Sequence, residues 1–457
     1  MASALGHARV DPGPGDGRMV GTMSIARSTL RAASLAVVLV AALAACEIDE
    51  EQLEEAVPEA DDAAEPAPED DAVPIDDGTV TVGLLNPLTG PFAALGEDVN
   101  DGFRLFVDDH AGEIAGYDVE VVVEDEANDT ATAVENAERM VESAGVDVII
   151  GFVNSGVAYG AASYIEETGV PLIISVAGAD DLTQRDAIDN IFRLSYTGSS
   201  DAMPGGTYAC EELGYETAAV IGLDYAFGWE GVGGFARAFE DAGCEVVQES
   251  YVPLDTSDWA PFVQELDTDA DVVWTLNAGP DAIRFAQAYR DFGVDVPLMG
   301  HGSAFDEEIL EQQQAAAEGA ISTLHYSREI ETPENEAFVE AFEATYDRVV
   351  SRYAEAGWTS GLVLEEALGA VDDVDDDTLT AAIGDVRVDD APRGPVHFDE
   401  YGQVVHNIYV REVREEDGAY RNVVIDQIDE VSQFWVYEPD EYLAEPPYDE
   451  LVGTWAE

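Results

Sequence analysis

The sequence predicts an α/β protein built of two doubly wound parallel-sheet lobes. Three observations predict it. From residue 79 onward, short apolar β-rich runs alternate with helical segments. Runs such as Val148-Ile149-Ile150 and Leu172-Ile173-Ile174 are apolar without interruption, as in parallel strands covered on both faces. The same alternation restarts after Tyr196, so a second sheet follows the first.

The first lobe opens with a strand over 79–85. Val99, Phe103, Phe106 and His110 then recur at 4-3-4 spacing, which is one face of a helix over 99–110. Strand 117–125, helix 130–143, strand 147–151, helix 157–168 and strand 171–175 follow. The second lobe reads as helix 201–213, strand 217–222, helix 228–242, strand 245–251, a helix near 259–265, strand 271–276, helix 281–292 and strand 297–300. Helices over 334–349 and 357–371 come next. A β-hairpin closes the body, with strands 395–398 and 404–413 around the turn Asp399-Glu400-Tyr401-Gly402. The acidic, aromatic stretch 427–457 has no period that places it.

Charge is the compositional outlier. Asp and Glu number 97 against 19 Lys+Arg, for a net charge of −78, and all 19 cations are arginine. Such a surface repels nucleic acid and anionic lipid, so neither is an expected partner. A GC-rich genome accounts for missing lysine but not for the acidic excess, which fits a salt-adapted protein.

The N-terminus reads as a lipoprotein signal. Arg27 and Arg31 precede a twelve-residue apolar core over 32–43, long enough for a signal peptide and too short for a membrane span. Ala44 and Ala45 then lead into Cys46, the expected lipidation site. Residues 1–45 are therefore the expected signal peptide, with Met23 as an alternative start. Residues 46–77 form an expected disordered linker, since 47–77 holds fifteen acidic residues, four prolines and no cation. The expected location is extracytoplasmic, anchored to the cell membrane by lipid. Cys210 and Cys244 remain as an even pair in an oxidising compartment, which suits either a disulfide or two buried thiols. Metal-ligand spacing is missing around both.

In open parallel sheets, ligands bind beyond the carboxyl ends of the strands. The loops there carry Asn154 and Ser155 ahead of a helix, then Ala177, Gly178 and Ala179, then Tyr225 and Phe227, then Gly279, then His301 and Gly302. Small and hydroxyl residues at a helix N-terminus suit a carboxylate, and the two aromatic residues suit an apolar or planar group. His301 is the one histidine in such a loop, whereas His110, His325, His397 and His406 fall where structural hydrogen bonding is expected. The nucleophile-elbow, phosphate-loop and zinc-protease patterns do not occur. No enzyme, cofactor or metal is therefore expected.

The motifs Val82-Gly-Leu-Leu-Asn-Pro-Leu-Thr-Gly-Pro91, Val148-Ile-Ile-Gly151, Val170-Pro-Leu-Ile-Ile-Ser175, Asp224-Tyr-Ala-Phe-Gly228 and Gly394-Pro-Val-His-Phe-Asp399 appear in that order. In this the chain resembles the branched-chain-amino-acid type of periplasmic binding protein. The resemblance implies a type I periplasmic binding protein fold, with two lobes joined by three crossovers around a ligand cleft. It implies a non-catalytic, monomeric receptor that hands a small molecule to an ABC permease in the membrane. The N-terminal lobe would be 78–197 plus 328–404, the C-terminal lobe 198–327 plus 405–426, and 427–457 a tail. By the same resemblance, Ser155 beside Asn154, the segment from Ala177 to Ala179, and Tyr225 would touch ligand. Two positions depart from the amino-acid-binding pattern. Gly178-Ala179 stands where threonine is usual, and Gly302 stands where a glutamate holds the ligand ammonium; Asp281 is a candidate substitute. A branched-chain amino acid or related small carboxylate or amide is the expected ligand. The alternative is a sensor for amides, urea or aromatic acids coupled to a signalling partner.

Overall fold

A computed structural model describes residues 78–456 apart from 255 and 373. The signal segment, Cys46 and the acidic linker lie outside the described residues.

The first lobe comprises β1 (Thr79–Asn86), α1 (Ala93–Asp109), β2 (Glu113–Ile114), β3 (Tyr117–Asp125), α2 (Thr130–Glu138), β4 (Val148–Gly151), α3 (Ser155–Thr168), β5 (Leu172–Ile174) and β6 (Ile191–Arg193). The sheet order is β2-β3-β1-β4-β5-β6, parallel except for β2. Val82 and Leu84 of β1 lie beside Val148 and Ile150 of β4, and all four are buried. The Asp129 carboxylate caps α2 by accepting the Thr132 N–H. The helix expected over 130–143 widens at its end into a π-helical turn over Arg139–Ala144, and Gly145 stops it with φ of 67°.

The second lobe comprises α4 (Ala202–Glu211), β7 (Thr217–Leu223), α5 (Ala226–Asp241), β8 (Glu245–Val252), α6 (Ala260–Gln264), β9 (Val272–Leu276), α7 (Gly279–Asp291), β10 (Leu298–His301), α8 (Glu307–Gln313) and β11 (Ile321–Leu324). The chain then forms α9 (Pro333–Tyr346), α10 (Arg352–Ala370), α11 (Asp376–Gly384), β12 (Arg387–Val388), β13 (Val396–Phe398), β14 (Val404–Glu416), β15 (Ala419–Val431) and α12 (Pro439–Leu443). The second sheet runs β12-β13-β14-β11-β10-β9-β7-β8, with β15 also paired to β14. Strand β14 pairs first with β13 and then, from Tyr409, with β11. Up to the end of β14 the chain thus passes between lobes three times: from β6 to α4, from β11 to α9, and along β14.

Each sheet is covered on both faces. In the first lobe Phe103, Phe106 and Leu364 lie on one side, and Met140, Ile165 and Ala137 on the other. In the second, Trp259, Phe285 and Tyr289 face one side, and Phe235, Phe239 and Trp274 the other. Burying each large side chain contributes about 1.5–3 kcal/mol.

Cys210 of α4 and Cys244 are joined in a disulfide, with Cα atoms 6.0 Å apart. The stretch the sequence left unplaced is ordered. Strand β15 runs on to Val431, and the segment beyond it crosses from the first lobe to the second. Gln433 donates to the Thr183 carbonyl at 2.8 Å, and Arg237 of α5 lies over the rings of Tyr437 and Tyr442 at 4.0 and 4.8 Å.

Candidate functional site

The strand-end loops of both lobes meet around Tyr196, a buried residue in the first crossing. Its ring centroid lies 5.7 Å from Phe227, 5.2 Å from His301 and 5.5 Å from His325. Phe227 in turn lies 5.2 Å from His301 and 6.2 Å from Tyr225. On the first-lobe side Gly178 touches Tyr196: a Cβ there would stand 3.0 Å from the ring. Glycine at 178 is thus what lets the loop after β5 close on the aromatic cluster.

That loop is held from behind by an arginine. Arg193, fully buried at the end of β6, donates to the carbonyls of Ala177, Ala179 and Asp180 and to the side-chain oxygen of Gln403. Three carbonyls gathered on one guanidinium fix the loop's shape. Ser155 opens α3, and its hydroxyl oxygen accepts the Ala179 N–H at 3.1 Å, so its own proton is free to meet a ligand. The Asn154 side chain caps α3 by accepting the Gly156 N–H. A helix N-terminus with a free hydroxyl favours an anion.

His301 has a defined tautomer. Nδ1 accepts the Ser303 N–H at 3.1 Å, while the Ser303 hydroxyl donates to the Asn277 carbonyl at 2.9 Å. Burial, reinforced by Arg352 and Arg411, pushes the His301 pKa well down, so the ring is neutral. Its proton therefore sits on Nε2, which is buried without a hydrogen-bond partner. The Asn277 Oδ1 atom is likewise buried and unpartnered. A buried donor left unpaired costs about 1–3 kcal/mol, which a bound molecule with an acceptor recovers.

A pair of carboxyls lies between the lobes. Glu230 of α5 accepts the Asp180 N–H on Oε1 at 3.2 Å, and Asp180 accepts the Ser199 N–H at 3.1 Å. Asp180 Oδ2 and Glu230 Oε2 have no partner. Burial raises Asp180 to about 6, and burial with the Asp180 charge raises Glu230 well above the carboxylate range. A second tie crosses the lobes nearby. Arg352 of α10 meets Asp306 of the second lobe at 3.1 Å, both buried, with the guanidinium 5.0 Å from the Tyr196 ring.

Of the residues singled out from sequence, Ser155, Ala177, Gly178, Ala179, Phe227 and His301 come together, with Tyr225 at their edge. Gly279 opens α7 at φ of 51°; it is half-buried, and a Cβ on it would meet open space. Gly302 does not face a ligand. A Cβ there would lie 2.6 Å from Leu324 and 2.7 Å from Arg411, so no glutamate fits. Asp281 is no substitute, since it binds Trp259 Nε1 and Arg284. Sequence reasoning missed Arg193, Tyr196, Glu230 and Arg352. Arg193 ends a three-residue strand and Arg352 opens a helix, and neither those positions nor those of Tyr196 and Glu230 carry a local pattern that marks them.

The family model described as periplasmic binding protein matches residues 79–419. The Leu/Ile/Val-binding protein homolog 6 of Brucella melitensis is 30% identical over 356 residues, covering 75% of this chain and 90% of that one. An ABC transporter substrate-binding protein from Sphaerobacter thermophilus is 31% identical with a TM-score of 0.75, covering 78% of this chain and 99% of its own. A solute-binding protein of an ABC transporter from Rhodopseudomonas palustris, solved with p-hydroxybenzoic acid, is 27% identical with a TM-score of 0.72, covering 78% and 98%.

Proposed function

The chain belongs to the periplasmic binding protein family and is a solute-binding receptor of an ABC transporter; from that premise we propose that it is a lipid-anchored receptor for a small aromatic carboxylate. The observation that carries the ligand class is the cluster of Tyr196, Phe227 and His301, with an unpartnered neutral Nε2–H among the rings. A planar ring would pack against such side chains, and an oxygen on it would accept from Nε2. The ligand carboxylate is assigned to the Ser155 hydroxyl and the N-terminus of α3. The crowding of Gly302 supports the same reading, because it removes the acidic residue an ammonium would need there. The p-hydroxybenzoic acid held by the Rhodopseudomonas protein agrees with it.

A branched-chain amino acid is the second reading, favoured by the unpartnered Glu230 Oε2 and by the Brucella relative. Cys46, the acidic tether and a permease partner complete the proposal, with lobe closure coupling capture to delivery. Calorimetric titration with benzoate, 4-hydroxybenzoate, leucine and valine separates the two readings. Heat from the benzoates and none from leucine is expected; leucine binding more tightly than either benzoate moves the assignment to the amino acid.

A further inference from the structure

We propose that Asp201, His325 and His406 form a transition-metal site at the hinge, of the kind that holds Zn²⁺. Each comes from a different passage between the lobes. Asp201 precedes α4 on the first, His325 follows β11 on the second, and His406 lies in β14 on the third. All three are buried, and one ligating atom from each lies within 4.8 Å of the others. His325 Nδ1 is 3.1 Å from Asp201 Oδ2, and His406 Nε2 is 3.9 Å from Asp201 Oδ1. The two imidazole rings are nearly parallel, at 6°, with centroids 5.0 Å apart. Because an imidazole lone pair lies in its ring plane, one of these stacked rings must turn for both to aim at a single ion, which the mutual distances of the three groups allow.

The charges around the cluster leave room for a cation. Three arginines stand near, but each has its own carboxylate: Arg352 has Asp306, Arg393 has Glu355 and Arg411 has Glu307. Asp201 has no cation of its own, and its Oδ1 makes no hydrogen bond. Burial keeps both imidazoles neutral, with lone pairs available. Tyr196 stacks on His325 at 28° and orients the ring. Two imidazoles and one carboxylate suit Zn²⁺, Co²⁺ or Ni²⁺ rather than Mg²⁺ or Ca²⁺. An ion held by all three passages would restrain the opening of the lobes.

The test is titration of chelator-treated protein with Zn²⁺ and Co²⁺, read by metal content, by the visible spectrum of Co²⁺ and by melting. One ion per chain, a His-ligated Co²⁺ spectrum and a raised Tm are expected. Affinity should fall roughly a hundredfold or more in His406→Ala and Asp201→Asn, beyond the loss an outer-sphere change causes. His406→Gln serves if the alanine variant misfolds, with the circular dichroism of metal-free protein as the control. Surface carboxylates are abundant at a net charge of −78 and would bind Zn²⁺ equally in every variant; equal binding overturns the proposal. So does a Tm that responds to pH but to neither metal, which makes the trio a proton-sharing cluster.

Discussion

Ser303 decides which nitrogen of His301 faces the aromatic cluster. Its backbone N–H takes Nδ1, and the proton is left on Nε2. Replacing His301 by Phe keeps a ring against Tyr196 and Phe227 and removes only the donor. For a ligand carrying a ring oxygen, affinity is expected to fall by about 1–3 kcal/mol, while an unsubstituted benzoate is little changed. Calorimetry on 4-hydroxybenzoate and benzoate reads the difference; equal losses for both would place His301 in a packing role. The neighbouring glycine shows how far residue-level reading reaches. Gly302 stands out in the sequence as a missing glutamate, yet Leu324 and Arg411 fill the space where such a side chain would go. The partners come from β11 and β14, remote in sequence, so no local pattern announces them.

At the scale of elements, the loop from β4 into α3 combines strain with a buried acid. Phe152 is held at φ of 65°, a conformation that costs about 1–3 kcal/mol in a non-glycine residue. Behind it Glu126, at the end of β3, accepts the Val153 and Asn154 N–H groups at 3.3 Å each. Burial raises the Glu126 pKa from 4.5 to about 7. A carboxyl raised on folding stabilises fully below its unfolded value and loses that contribution as pH rises through about 7. Asp180, raised to about 6, acts in the same direction. Stability is therefore expected to fall between about pH 5 and pH 8. Glu126→Gln should flatten the fall by up to about 3 kcal/mol, since the amide carries no charge to bury. Urea unfolding at the two pH values measures it, and an unchanged pH slope would exclude Glu126 as a source. Elements of this kind are legible where pattern and length agree: α1 announces itself by period, and β4 by its unbroken apolar run. Strands β2 and β6, of two and three residues, are too short to show one. Strand β15 is half-buried or exposed along most of its length, so its apolar and charged residues do not alternate cleanly. The strand-end rule found the cleft loops. It could not find Tyr196 or Glu230, which lie on a crossing and inside a helix.

For the whole molecule, the distribution of its 19 arginines matters more than their number. Arg193, Arg352, Arg393 and Arg411 are buried, where they hold the cleft loop and the passages between lobes. Among the described residues the few arginines left outside face a large majority of unburied acidic residues, so the described surface is more one-sided than composition suggests. Repulsion among these charges opposes the compact state. The screening length falls from about 10 Å at 0.1 M salt to about 3 Å at 1 M. Melting in rising NaCl is therefore expected to raise Tm steeply up to about 1 M and little beyond, because most of the screening is complete by then. A gain that instead continues in proportion to salt would come from exclusion of salt from the protein surface. A flat Tm would mean that the folded chain bears its charge without cost and would remove salt adaptation as the reason for the acidic surface. Because opening the lobes would move like charges apart, the same series run with a bound benzoate should show affinity rising with salt as well.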